Sequence, residues 1–109
     1  VIIPTFNSEK TIDLAVRSAL EITDDVIVVD SFSKDKTVEI AEKEGAKVIQ
    51  IKGSRLIARI EGCKIAKGDY IINLDSDMYF TEKFKEYIEN NRRKSYFIRR
   101  NNYRKRDSI

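Results

Sequence analysis

Short, wholly apolar runs alternate along this chain with amphipathic stretches of helical period. Val1-Ile2-Ile3, closed by Pro4, and Val26-Ile27-Val28-Val29, closed by Asp30, are rich in β-branched residues with no polar alternation. Such runs predict parallel strands buried on both faces. Between them Ile12, Ala15, Val16, Ala19 and Leu20 fall on one helical face, with Asn7 or Ser8 as the expected cap. A second helix is predicted over Thr37 to Glu44, capped by Ser33 or Asp35 and stopped by Gly45. A third strand follows over Ala46 to Ile51. Gly53-Ser54 opens a helix to about Lys67, with Leu56, Ile60 and Cys63 expected inward and Cys63 read as a structural thiol. Tyr70 to Leu74 reads as a fourth strand that delivers Asp75-Ser76-Asp77 at its end. Thr81 is expected to cap a last helix with Phe84, Tyr87 and Ile88 inward, and Tyr96 to Ile98 to begin a fifth strand. Strands alternating with helices predict an α/β fold, a mainly parallel sheet flanked by helices with right-handed crossovers.

Composition narrows the chemistry more than the fold. The 109 residues include one Cys and no His. A disulfide framework, a Cys/His zinc site and every imidazole mechanism are therefore excluded. Acid–base or metal chemistry must use carboxylates, Lys, Tyr or water. The chain begins in a strand without an initiator Met and is expected to be a piece of a larger protein or to lack its first residues. It has no apolar run near the ~20 residues of a membrane span and no basic leader, so a cytoplasmic setting is expected.

The net charge of +3 hides an asymmetry. Eight of the 21 Lys/Arg but one of the 18 Asp/Glu fall in residues 92–109, leaving 13 basic and 17 acidic groups, net −4, in residues 1–91. The expected organisation is a single partial domain, with 1–91 as its core and 92–109 as a basic C-terminal segment. That segment, with Tyr96, Phe97 and Tyr103 interleaved, suits an anionic partner such as lipid headgroups or a phosphate-bearing acceptor. A peripheral contact with the inner face of a membrane through residues 92–106 is one reading, and a solvated charged run is the other.

In open parallel sheets ligands sit beyond the carboxyl ends of the strands. Pro4-Thr5-Phe6-Asn7, Asp30-Ser31 and Asp75-Ser76-Asp77 lie there. Were the last of these extended, Asp75 and Asp77 would point the same way and converge on a hard cation, Mg²⁺ or Mn²⁺, with a substrate diphosphate completing its shell. No G-x-G-x-x-G or G-x-x-x-x-G-K-[ST] occurs, so a Gly-rich cradle for pyrophosphate is absent and the cation would take over that role. Asp30 is placed to accept hydrogen bonds from a base or ribose. Phe6 would stack on a base or plug the sheet edge. Arg59 would reach a phosphate or pair with Glu61 or Glu82.

Four ordered motifs across residues 1–84 resemble the nucleotide-binding half of a family 2 glycosyltransferase with the GT-A fold. They are Ile3-Pro4-Thr5-Phe6-Asn7 with Glu9; Val28-Val29-Asp30-Ser31-Phe32-Ser33-Lys34-Asp35-Lys36-Thr37; Gly53 with Ala58-Arg59-Ile60 and Gly62; and Ala66, Gly68-Asp69-Tyr70-Ile71 leading to Asp75-Ser76-Asp77. Ser31 stands where the family commonly has a second Asp, and Ile60 where it has Asn. The resemblance implies transfer of a sugar, with inversion, from a nucleotide-diphosphate donor. It implies that Pro4, Thr5, Phe6, Glu9, Asp30, Ser31, Arg59, Asp75 and Ser76 face the donor, and that Asp75 and Asp77 hold the cation. It places the acceptor site (for a lipid phosphate, a glycan or a protein) and the catalytic base outside this chain, so no catalytic residue is assigned within it. The isolated chain is expected to be inactive, and no nucleic-acid partner is expected.

Three rival readings differ in their requirements. A haloacid-dehalogenase-like phosphatase also uses D-x-D after a strand, but on the domain's first strand, with Thr or Val where Tyr79 stands here. A sugar nucleotidyltransferase needs a Gly-rich N-terminal loop. A non-catalytic truncated module that binds a nucleotide or presents the basic segment is the alternative kept beside the enzyme.

Overall fold

The computed structural model describes residues 1–91. The expected fifth strand and the basic segment lie outside the described residues. Within them the order is β1 (Ile2–Thr5), α1 (Ile12–Leu20), β2 (Ile27–Asp30), α2 (Thr37–Glu44), β3 (Lys47–Gln50), α3 (Arg55–Ile65) and α4 (Glu82–Asn91). The three strands form a parallel sheet in the order β1-β2-β3, with Ile3 opposite Val28 and Val28 opposite Val48. Every residue of β1 and β2 is buried, whereas β3 is half exposed, as an edge strand should be.

Side chains alternate between the two faces. Ile3 and Val28 pack with Ile12, Ala15, Val16 and Ala19 of α1 and Ala41 of α2. Ile2, Ile27 and Val29 pack on the other face with Ala58 of α3 and with Ala66. The α/β sandwich expected from the pattern is therefore present, with α2 ending at Gly45 in the left-handed conformation, φ 107°.

Three elements differ from expectation, each for a physical reason. The inward face of α3 is Ala58 and Gly62, while Leu56 and Ile60 point outward, 64% and 45% exposed, and Cys63 is half-buried. Small residues win that face because the helix lies close on β1. A Cβ on Gly62 would come within 2.8 Å of Ile2 Cγ2. In α4 it is Ile88 that is buried, while Phe84 and Tyr87 are partly exposed and stack in series with the buried Phe80. The fourth strand is reduced to isolated bridge positions at Tyr70 and Asn73. Asn73 lies opposite Ile2, with Ile2 N–H donating to Ile72 O at 2.9 Å and Leu74 N–H donating to Ile2 O at 3.0 Å. Side chains supply what the missing ladder does not. The Asp25 carboxylate accepts from the N–H groups of Lys67 and Gly68, and buried Ser18 Oγ accepts from Phe80 N–H. No helix among the described residues is long and apolar enough to cross a membrane.

Candidate active site

The loops that follow β1, β2, β3 and the bridged segment converge at one end of the sheet, on two neighbouring clefts. The first, about 410 Å³, is lined by Glu9, Lys10, Asp35, Asp75 and Asp77 among others. The second, about 400 Å³, is lined by Thr5, Phe6, Val29, Ser31 and Ala58 among others. Pro4, Arg55 and Ser76 border both, so the two form one continuous surface, acidic at one end and mixed apolar at the other. Of the expected residues, Pro4, Thr5, Phe6, Glu9, Ser31, Asp75, Ser76 and Asp77 all reach this surface. Phe6 is 60% exposed, so it plugs nothing.

Asp30 and Arg59 are placed differently. Asp30 is fully buried. Its carboxylate accepts from Thr5 Oγ1 at 2.7 Å, Ser33 N–H at 2.8 Å, the Ser33 hydroxyl and Gln50 Nε2 at 3.2 Å. Arg59 pairs with neither Glu61 nor Glu82. Its Nη2 lies 3.3 Å from Asp75 Oδ1, and it borders an apolar groove with Met78, Tyr79 and Phe84 on the far side of Asp75. Asp75-Ser76-Asp77 is not extended. Met78 N–H donates to Asp75 O at 3.0 Å, closing a turn. The two acids reach one cleft by turn geometry, not by strand alternation.

The loops after β1 and β2 interlock. Three consecutive backbone N–H groups, those of Asn7, Ser8 and Glu9, donate to Ser33 Oγ (2.7 Å), Thr37 Oγ1 (2.7 Å) and Asp35 Oδ2 (3.2 Å). In return Lys34 N–H donates to Asn7 Oδ1 at 2.8 Å and Lys36 N–H to Glu9 Oε2 at 3.2 Å. Each hydroxyl in the clasp gives its own proton to a carboxylate, Ser33 to Asp30 and Thr37 to Asp35. Asn7 is therefore a loop tie and not the cap of α1; it takes φ 51°, and the helix begins after Thr11. Partial desolvation works against the charge on Asp35, but the Thr37 hydroxyl and the Thr37 and Glu9 N–H groups outweigh it. They hold its carboxyl below the ordinary 3.8.

Arg55, which borders both clefts, is a residue that the motifs do not name, as are Ser8, Lys10 and Thr11 in the first cleft. The available signal for Arg55 was its position, two residues after Gly53, at the start of the helix that follows the third strand. Ser54 caps that helix, its Oγ accepting from Ile57 N–H.

Residues 1–106 match the sequence profile of Glycosyl transferase family 2. This chain belongs to that family. The match runs past Phe84, where the recognisable motifs stop, to residue 106. An uncharacterised glycosyltransferase of Rickettsia bellii (strain RML369-C) is 40% identical over 86 residues, which cover 78% of this chain and 29% of that protein. Among solved structures, S. aureus TarS 1-349 in complex with UDP superposes with a TM-score of 0.68 at 30% identity, covering 84% of this chain and 32% of that one. The M. tuberculosis glucosyl-3-phosphoglycerate synthase in complex with Mg²⁺ and uridine diphosphate gives 0.65 at 26% identity, covering 72% of this chain and 32% of that one. This family 2 chain thus spans about a third or less of the length of these relatives, and the GT-A fold implied by its motifs is the fold it shares with them.

Proposed function

We propose that this chain forms the donor-nucleotide half of a glycosyltransferase that transfers a sugar, with inversion, from a nucleotide diphosphate. The continuity of the two clefts through Pro4, Arg55 and Ser76 carries the reading. Base and ribose fit the second cleft, where Phe6 offers an exposed ring for stacking and Thr5 and Ser31 supply polar edges. The diphosphate then lies across the junction beside Arg55, whose guanidinium is a fork suited to phosphate oxygens, and the sugar points into the acidic cleft. The UDP complexes of related structures make uridine diphosphate the donor nucleotide to test first.

The residues present fit a divalent cation weakly by themselves and more tightly together with its nucleotide. Among the described residues no group of three metal-ligating side chains forms. Asp75 and Asp77 offer carboxylate oxygens alone, the donor set of Mg²⁺ or Mn²⁺, which commonly complete their shells with water and phosphate. When bound, the cation offsets the negative charge that develops on the departing diphosphate. A related synthase crystallised with Mg²⁺ and uridine diphosphate supports this assignment. Arg59 holds Asp75 from behind, and Asp30 acts from beneath the surface by fixing Thr5 and the Ser33 loop.

Inverting transfer also needs a carboxylate that takes the acceptor proton. The candidates near the cleft have other partners: Glu9 accepts from Lys36 N–H, Asp35 from Thr37 and Glu9 N–H, and Asp75 and Asp77 would hold the cation. That base, the acceptor pocket and any membrane contact of residues 92–106 are assigned to parts of the protein beyond the described residues. Calorimetric titration with UDP tests the reading. Binding is expected with Mn²⁺, and Asp77→Ala is expected to remove the gain that Mn²⁺ confers. Equal affinity in Mn²⁺ and in excess chelator would refute the metal assignment, and no UDP binding under either condition would refute the donor site.

A further inference from the structure

The acidic turn has little regular structure of its own. It follows the bridge at Asn73, and between Leu74 and Phe80 two polar side-chain contacts tie it to the rest of the described residues. One is the Arg59–Asp75 pair at 3.3 Å, both partners partly exposed. The other runs from Ser8 Oγ to Ser76 Oγ at 3.0 Å. A partly exposed ion pair holds geometry weakly, and Leu74 and Phe80 anchor only the ends of the turn, so the hydroxyl contact is what ties its middle to the loop after β1. Ser8 is well placed to do so, because its own backbone is pinned: its N–H donates to Thr37 Oγ1, and Thr37 is fully buried and donates in turn to Asp35.

We propose that Ser8 is the positioning residue of the acidic turn, so that the cation-binding carboxylates of Asp75 and Asp77 are set in place by the loop after β1 and, through Thr37, by α2. This rests on the donor-site reading above and adds to it a physical link between the nucleotide-side loops and the cation acids. The tie is in two parts: the Thr37 hydroxyl, donating to Asp35, accepts from the Ser8 backbone N–H and fixes the Ser8 backbone, and the Ser8 hydroxyl then meets Ser76. Occupation of the nucleotide cleft and occupation of the cation site are then coupled, since both depend on one conformation of residues 5–9.

The test uses the full chain and its Ser8→Ala and Ser8→Thr variants. UDP affinity is measured by calorimetry with Mn²⁺ and again in excess chelator, and the quantity read is the ratio of the two. Ser8→Ala is expected to reduce that ratio by roughly three- to tenfold, the scale of one neutral hydrogen bond, and Ser8→Thr, which keeps the hydroxyl, to restore it. A merely structural role lowers both affinities together and leaves the ratio intact, which would overturn the proposal. Mn²⁺ affinity without nucleotide, read by electron paramagnetic resonance, separates this outcome from failure of the donor reading. It is expected to fall in Ser8→Ala whether or not UDP binds, and an unchanged value would overturn the proposal.

Discussion

Replacing Asp30 by alanine asks whether that acid is a nucleotide ligand or a bracket of the fold. The carboxylate is fully buried and accepts four hydrogen bonds, from the Thr5 hydroxyl, the Ser33 N–H and hydroxyl, and Gln50. Bonds to a charged acceptor contribute about 1.5–3 kcal/mol each, which as a plain sum is about 6–12 kcal/mol. Two effects reduce it. Burying a carboxylate costs several kcal/mol that the variant recovers, and exposed Gln50 finds water instead. The Ser33 N–H and the buried Thr5 hydroxyl are left without an acceptor, so the net loss is roughly 3–5 kcal/mol. Against a domain stability of about 5–15 kcal/mol that is a large fraction. Urea denaturation followed by circular dichroism is the assay. At an m-value of about 1.5 kcal/mol/M the midpoint falls by roughly 2–3 M. From the sequence, Asp30 is expected to be a ligand of base or ribose. A stability loss under about 1 kcal/mol together with lost UDP binding would restore that expectation and refute the bracket.

Three further outcomes follow from the same geometry. Gly62→Ala gains helix propensity of about 1 kcal/mol, but its Cβ meets Ile2 Cγ2 at 2.8 Å on a buried strand. The strain of overpacking, typically about 1–3 kcal/mol, is expected to win, and a raised melting temperature would contradict the close α3–β1 contact. Asp35 has its folded carboxyl held below the ordinary 3.8, so its stabilisation is complete above that value and is lost as pH falls through the folded value. The stability gap between the native chain and Asp35→Asn should therefore narrow between pH 6 and pH 3, and an identical gap at both would dispose of the hydrogen-bonded charge. Finally, the 109-residue chain is expected to bind the donor weakly without turnover. Rapid Mn²⁺-dependent sugar transfer by the isolated chain, abolished in Asp77→Ala, would place the base among the residues excluded above.

The layered fold was legible because the runs Val1-Ile2-Ile3 and Val26-Ile27-Val28-Val29 are uniformly apolar and rich in β-branched residues, and because Gly45 marks the end of α2; Pro4, which closes the first run in the sequence, lies inside β1. The face of α3 was not, since periodicity counts large apolar residues while close helix–sheet approach selects small ones. Ala58 and Gly62 therefore carry the contact, and Leu56 and Ile60 do not. The bridged segment shows the opposite limit. Tyr70 to Leu74 has strand composition, yet pairing depends on register with a neighbour, and here it yields isolated bridges and no continuous ladder among the described residues. At the site, motifs located the loops but not the division of labour within them. That Asp30 is buried and Phe6 exposed depends on how Ser33 and Thr5 close over the strand ends, which is a property of two loops together. Arg55 escaped notice because an arginine at a helix start carries no motif of its own.

β1 lies between β2 and the segment around Asn73, so Ile2 has Ile27 on one side and a residue 71 positions later on the other. During synthesis the first flank can close once β2 and its helix have left the ribosome, but the second waits until Asn73 emerges. Throughout that interval an apolar strand edge, Ile2-Ile3, is exposed to other nascent chains. Parallel pairings of this separation form slowly, and unpaired edges in partly folded chains are where aggregation begins. β1 is thus made before both of its neighbours and completed late, and its edge is open to wrong pairing in the meantime.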